Sequence, residues 1–377
     1  MSGDRAPGRL WLAEARTEAS GRLYDPPFVE DRNMRTISLS KPLFAVAIAA
    51  AVATLAAGPA LADPPSGVTP AATDIVGVGS DTTQALFNQL SADYTGTPKL
   101  YSWDATGSSP ITPKSGASSI ARPNGSSAGI TALSTTTSST LDYSRSSRPA
   151  GSSDPTGLTF IAYAKDAVSY AADANGDAPA NLTTADLKNI YTCTDTKWNQ
   201  ITDISGYTGS ANTIQAFLPQ VGSGTRAFFE SVLGLTDAQI GSCVNSTVEE
   251  NEGTNALLQT ADAIVPYSVG HYIGQVYFGH TTSTDAPGPL TVRETNGVVP
   301  IDTVNHVITS AYAATSYARN LYTVVRTADW NAGNAHATAL KGLFSSTGWV
   351  CKNSTAQADV KSFGFLLLGL CGTTSTT

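Results

Sequence analysis

The chain has 377 residues, with 22 Lys and Arg against 30 Asp and Glu and a formal charge of −8. So acidic a chain is a poor partner for nucleic acid, and it gives no general attraction for anions. Any anion site must therefore work locally, through N–H groups, hydroxyls and one or two arginines. The four histidines, His271, His280, His306 and His336, show no ligand spacing and there is no Cys-x-x-Cys, so neither a metal nor a cofactor is expected.

Residues 1–33 are polar and mixed in charge and read as an over-called or unusual leader before Met34. From Met34 to Ala62, Arg35 and Lys41 precede an apolar run over 43–57 and an Ala-Leu-Ala ending, the parts of a secretory signal peptide cleaved near Ala62. No cysteine follows that site, so a released or extracytoplasmic product without a lipid anchor or membrane insertion is expected. The remaining 315 residues carry 15 Lys and Arg against 24 Asp and Glu, a balance of −9, and suffice for two domains. Cys193, Cys243, Cys351 and Cys371 suggest two disulfides in an exported chain. Proximity favours 193–243 with 351–371 among three pairings.

Residues 63–73 are a flexible lead-in. Asp74 to Gln84 then reads as a small apolar strand, a glycine turn and polar residues entering a helix, with Asp81 as a candidate cap and Leu86, Phe87 and Leu90 as its buried face. Asn124 to Leu133 repeats the turn-to-helix theme. Its Gly125-x-Ser127-x-Gly129 also has the form of a hydrolase nucleophile elbow, although the polar stretch before it, ending at Pro123, is no buried strand. Leu141 to Pro149 sets serines among Arg145 and Arg148 and reads as a basic loop. Leu158 to Val168 predicts a long strand able to cross between domains.

Thr183 and Asp186 predict a helix capping box, with Leu187, Ile190 and Tyr191 buried. Ile214 to Gly234 is the most informative stretch: an alternating strand, Gly222-Ser223-Gly224, then a helix starting near Thr225, with Phe228, Phe229, Val232 and Leu233 inward and Gly234 as a left-handed cap. A helix start favours an anion, Ser223 and Thr225 add hydroxyls, and Arg226 adds a planar fork. The plainer alternative is a capped helix with a surface arginine. The acidic run Glu249 to Glu252 reads as solvated surface. Ala261 to Gly270 predicts a second crossing strand, Ala318 to Val325 a further strand, and the tail from Trp330 is helical, with a late apolar run fixed by Cys371.

Taken in order, Gly77-Val-Gly-Ser-Asp-Thr-Thr83, Gly125-Ser-Ser-Ala-Gly-Ile130, Asp142-Tyr-Ser-Arg-Ser-Ser-Arg148 and Gly222-Ser-Gly-Thr-Arg226 resemble the four ligand loops of the PstS-type phosphate-binding proteins of bacterial ABC importers. Leu182 to Trp198, Ala263 to Tyr267 and Arg319 to Val325 are similar to further segments of that family, so the resemblance covers about 74–345. It implies an α/β, two-domain type 2 solute-binding fold with a cleft between domains joined by two crossing strands. Domain one would be 74–162 plus 264–377, and domain two 163–263. It also implies phosphate or a similar oxyanion as ligand, a possible ABC permease as partner, a monomer, and no catalytic step.

Carried over loop by loop, the expected contacts are Ser80, Asp81 and Thr82, then Ser126 and Ser127, then Ser146 and Ser147, then Ser223, Gly224, Thr225 and Arg226. Many members of the family carry an aspartate in the third loop and Arg-x-Asp before the fourth; here those places hold Ser147, Pro219 and Val221. Asp81 is then the candidate carboxylate acceptor for the proton of hydrogen phosphate, which sulfate lacks. The alternatives are a binding protein for another anionic ligand, a secreted serine hydrolase using Ser127 or Ser223, which would need a histidine beside it, and an adhesive surface protein that keeps the fold without the ligand.

Overall fold

A computed structural model describes residues 63–377; the expected leader and signal segments lie outside the described residues. The first apolar run forms β1 (Ile75–Gly79), followed through a short 3-10 turn by α1 (Gln84–Asp93), β2 (Leu100–Ser102), α2 (Ser126–Thr135) and β3 (Tyr143–Ser146). The third loop of the resemblance is thus partly a buried strand and not a solvated basic loop. The long apolar run forms β4 (Leu158–Asp173), and β5 (Asn181–Leu182) leads into α3 (Thr184–Tyr191), whose expected Thr183–Asp186 capping box is present.

Next come β6 (Gln215–Pro219), α4 (Gly224–Leu233), β7 (Asn245–Val248), β8 (Ala263–Ser268) and α5 (Val269–Phe278). Short strands follow, β9 (Leu290–Val292), β10 (Glu294–Thr295), β11 (Ile301–Asp302) and β12 (Val307–Ile308), then the long β13 (Ala318–Arg326). The tail is helical as expected, α6 (Thr327–Asn331), α7 (Ala335–Phe344), α8 (Trp349–Lys352) and α9 (Ser354–Ser362), before β14 (Leu366–Leu367) and β15 (Thr374–Thr376).

The main sheet runs β2-β1-β3-β13-β4-β8-β6-β7. β4 organises it because it is long enough to change partners. Leu158 to Ala167 pairs antiparallel with β13, and Val168 to Ala172 pairs antiparallel with β8. The molecule therefore has a β1 side and a β8 side, each with its own parallel strands, β1 with β2 and β3, and β6 with β7 and β8.

Each side also has its own apolar core. On the β8 side, Tyr170, Tyr191, Trp198, Phe229 and Ile264 pack together with no more than trace exposure. On the β1 side, Phe87, Tyr143, Leu340 and Phe344 pack beneath α1 and α7, and Ile130, Leu133, Phe160 and Val324 pack beneath α2. Burial of such side chains stabilises each by about 1.5–3 kcal/mol.

Disulfides join Cys193 to Cys243 and Cys351 to Cys371. The second ties α8 to the stretch after β14, so the late apolar run is held as a short strand against β4. Among the described residues no helix is long and apolar enough to cross a membrane.

Candidate functional site

The four glycine- and serine-rich loops meet at the seam between the β1 side and the β8 side. The first loop leaves β1 at Gly79, where φ is +117° and an added Cβ would lie 2.6 Å from the Arg145 carbonyl oxygen, so only glycine fits. Arg145, on β3, is fully buried and holds this loop from beneath. Its Nε donates to Ser80 O at 3.0 Å, Nη2 to Gly79 O at 3.1 Å, and Nη1 to Trp103 O at 2.9 Å and to Ser102 Oγ.

The second and fourth loops touch directly. Gly125 has φ +92°, and its missing Cβ leaves room for Gly222 O, which accepts a hydrogen bond from Ser127 N at 3.0 Å. Gly224 opens α4, and an added Cβ there would lie 2.2 Å from Ser126 Oγ and 2.3 Å from Ser147 Oγ. Ser126 Oγ in turn accepts from Ser147 N at 3.0 Å and lies 3.3 Å from Ser147 Oγ. Two helix starts, those of α2 and α4, and the end of β3 are thereby brought together.

At the centre, Thr82 Oγ1 and Thr225 Oγ1 lie 3.1 Å apart, although 143 positions separate them in sequence. Both donate to Glu250 Oε2, Thr225 at 2.9 Å. Arg319 Nη2 donates to Thr225 Oγ1 at 3.0 Å and to Asp166 Oδ2 at 2.8 Å. Arg319 and Asp166 are register partners on β13 and β4, and both side chains are fully buried. Asp166 Oδ1 is held by Gly270 N at 2.9 Å, so the ion pair is tied to the start of α5. Among the groups here that are buried and without a partner among the described residues are two donors, Arg319 Nη1 and Ser80 Oγ. A buried donor left unpaired costs about 1–3 kcal/mol, which is why such groups mark places where something binds.

The expected site residues thus divide. Thr82, Ser126, Ser147, Gly224 and Thr225 converge. Ser80 and Asp81 are buried in the first loop beside them. Ser127 Oγ accepts from Arg148 Nη2 at 2.9 Å, and Arg148 also pairs with Asp154.

Ser146 Oγ is turned to its own loop, donating to Arg148 O at 2.7 Å. Ser223 caps α4, accepting from Arg226 N at 3.0 Å. Arg226 is committed elsewhere: its Nε donates to Glu230 Oε1 and Asp237 Oδ1, both at 2.9 Å, and Nη1 to Pro219 O at 3.2 Å. The helix is capped as the plainer expectation had it, but the arginine is buried and not at the surface, because a carboxylate one helical turn on, at Glu230, captures its fork. Its side chain lines a cleft of about 440 Å³ beside the seam, together with Ser127, Arg148, Gly222 and Phe228.

Three readings of the residues need correction or addition. Asp81 does not cap α1; its stretch is a 3-10 turn without a side-chain cap. Burial, and then the carboxylates of Glu250, Asp285, Glu249 and Glu252, push its pKa well above the usual carboxylate range, so it holds its proton more tightly than an ordinary aspartate.

Glu250 and Asn251 are buried, not solvated, because β7 delivers the acidic run to the seam. There Glu249 accepts from Asn124 Nδ2 at 3.0 Å. Glu250 and Arg319 were missing from the expected site. A residue beside a strand start, or in a charge run, carries no local sign of the cross-chain contact it will make.

Behind the first loop, His271 of α5 contacts Thr82 O at 2.9 Å through Nδ1 and Asp285 Oδ1 at 2.6 Å through Nε2. Burial alone would lower its pKa, but the Asp285 carboxylate and the Thr82 carbonyl outweigh it and bring the value to about 9. The imidazolium then donates from both nitrogens, which fixes Thr82 from behind.

Neither Ser127 nor Ser223 is hydrogen-bonded to a histidine among the described residues; their partners are Arg148 and the α4 backbone. The nucleophile–base pair that a hydrolase needs is thus not formed at either serine.

A search of curated proteins finds no match. Among solved structures, the chain is similar to an ABC-type phosphate transport receptor from Vibrio cholerae, with 18% identity and a TM-score of 0.51 over 78% of this chain and 100% of that one. It is also similar to a candidate phosphate ABC transporter substrate-binding protein with bound phosphate from Clostridium perfringens, with 15% identity and a TM-score of 0.54 over 78% of this chain and 99% of that one. These likenesses share the α/β fold of the type 2 periplasmic binding proteins. The family profile described as a PBP superfamily domain matches residues 64–348, and the chain belongs to the PBP superfamily.

Proposed function

We propose that the protein is an exported substrate-binding protein that captures phosphate or a similar oxyanion at the seam, without a catalytic step. It would serve an ABC-type importer or act as a released scavenger, as a monomer. The observation that carries this reading is the meeting of Thr82 and Thr225 on one carboxylate oxygen, with Arg319 behind them. Hydroxyls from opposite sides of the seam are already aimed so that both donate to a single oxyanion oxygen.

Around that point, Ser126, Ser147 and the start of α4 add donors of the kind that hold phosphate at helix N-termini. In this reading residues 74–162 with 264–377, and residues 163–263, are the two lobes that close on the anion. Ser80, Arg319 and the neighbouring backbone N–H groups supply the remaining hydrogen bonds. The two solved proteins of similar fold whose printed descriptions concern phosphate transport support the choice of phosphate.

Equilibrium dialysis with labelled phosphate and competing sulfate tests this reading. The expected result is saturable binding of one phosphate per chain, reduced at least about ten-fold by Thr225→Val, which removes one charge-assisted bond. Absence of phosphate binding in the native chain would overturn it.

A further inference from the structure

Glu250 stands where an anion's oxygen would stand. Its Oε2 accepts from Thr82 and from Thr225, the latter at 2.9 Å, while its Oε1 is buried without a partner among the described residues. Each threonine has one hydroxyl proton. Once both are directed at Glu250, neither can donate to a second oxyanion, and the 3.1 Å Thr82–Thr225 approach is left as a contact between two acceptors.

We propose that Glu250 is an internal anion that competes with the external one for the threonine pair, so that ligand binding requires its side chain to leave the seam. The inference rests on the oxyanion reading of the same seam.

The surroundings determine how it can leave. Asn251 is pinned through its backbone and its side chain, with Tyr267 Oη donating to Asn251 O at 2.5 Å, Gln275 Nε2 donating to the same oxygen at 2.9 Å, and Ser268 N donating to the side-chain Oδ1 at 3.2 Å. Displacement is therefore a rotation of the Glu250 side chain and not an excursion of the loop. Glu250 is also held by one oxygen only, unlike Glu249, both of whose oxygens lie within 3.1 Å of Asn124 Nδ2.

Electrostatics favours exchange over addition. Glu249, Glu252 and Asp285 surround the first loop, and the Arg319 charge is already shared with Asp166. A second anion placed beside Glu250 would meet like charge at short range in a poorly solvated site. An anion that replaces it would not.

Removing Glu250 lets Thr82 and Thr225 bond each other, which leaves one hydroxyl proton free to donate to an anion. Calorimetric titration of the purified protein with inorganic phosphate, beside Glu250→Ala and Glu250→Gln, tests the proposal, with the Gln variant giving the same comparison if the Ala variant does not fold. Phosphate affinity at least ten-fold tighter in Glu250→Ala, with Glu250→Gln between it and the native chain, is expected. Equal or weaker affinity in the variants overturns the competition while leaving the oxyanion reading in place. If the native chain and both variants bind no phosphate, that reading falls and the competition with it.

Discussion

Arg145 and Arg319 are both buried arginines beside the seam, and they are partnered in opposite ways. Arg145 spends its guanidinium on Ser80 O, Gly79 O, Trp103 O and Ser102 Oγ, and makes no ion pair among the described residues. It fixes backbone, holding the first glycine loop in its turn. Arg319 is paired with Asp166, reaches Thr225 with one nitrogen, and keeps Nη1 buried without a partner. A saturated cation belongs to the scaffold, whereas a buried cation with a donor to spare, next to converging hydroxyls, belongs to a site.

The sharpest way to break this contrast is Arg145→Ala. It strands two buried carbonyls, of Gly79 and Ser80, and the part-buried carbonyl of Trp103, and a loss of about 3–5 kcal/mol in urea unfolding is expected, on the scale of breaking a buried polar network. A loss below about 1 kcal/mol would remove Arg145 from the scaffold. Arg319→Lys should do the reverse. The charge and much of the Asp166 pairing remain while the planar fork is lost, so stability should fall by about 1–2 kcal/mol and phosphate affinity by about ten-fold in calorimetry.

Gly224→Ala separates the loops without touching either arginine. Its Cβ would lie 2.2 Å from Ser126 Oγ, so the second and fourth loops must part. Phosphate affinity should drop several-fold, with a stability cost of about 1–2 kcal/mol from overpacking.

The acid–base balance sharpens the contrast further. His271, at about 9, binds its proton more tightly folded than unfolded, so its contribution is complete below its unfolded value near 6.5 and lost as pH rises through about 9. Glu252, raised to about 7 by burial and then by Glu249 and Asp285, loses stability in the same direction between about 4.5 and 7. Thermal midpoints should therefore fall from pH 5 to pH 9, and His271→Gln should flatten the upper part of that slope. The smallest effect expected is that of Asp81→Asn. Burial and the neighbouring carboxylates disfavour the charged form of Asp81, so this neutral substitution should leave the preference between phosphate and sulfate within about two-fold in competition dialysis.

How far the sequence reveals this arrangement depends on whether the deciding contact is local. The strand, turn and helix from Gln215 to Leu233, the left-handed cap at Gly234 and the Thr183–Asp186 box all rest on neighbours within a few positions, and all form as expected. The long strand β4 was equally legible from its apolar run.

Arg226 looked like the anion's fork because it follows Thr225. A helix, however, sets residue i against i+4, and Glu230 waits there, with Asp237 just beyond. Glu250 reads as solvated charge in a run of acids, and its burial becomes visible only once β7 carries it to Thr82, 168 positions away. Arg319 reads as an ordinary strand residue until β13 and β4 set it opposite Asp166.

The most direct test of the central claim is an experimental structure of the protein crystallised with phosphate. The account predicts a tetrahedral anion among Thr82, Ser126, Ser147, Thr225 and Arg319, with the Glu250 side chain turned out of the seam. Phosphate held instead by Arg226 in the neighbouring cleft, or a seam still occupied by Glu250 at saturating phosphate, would contradict it.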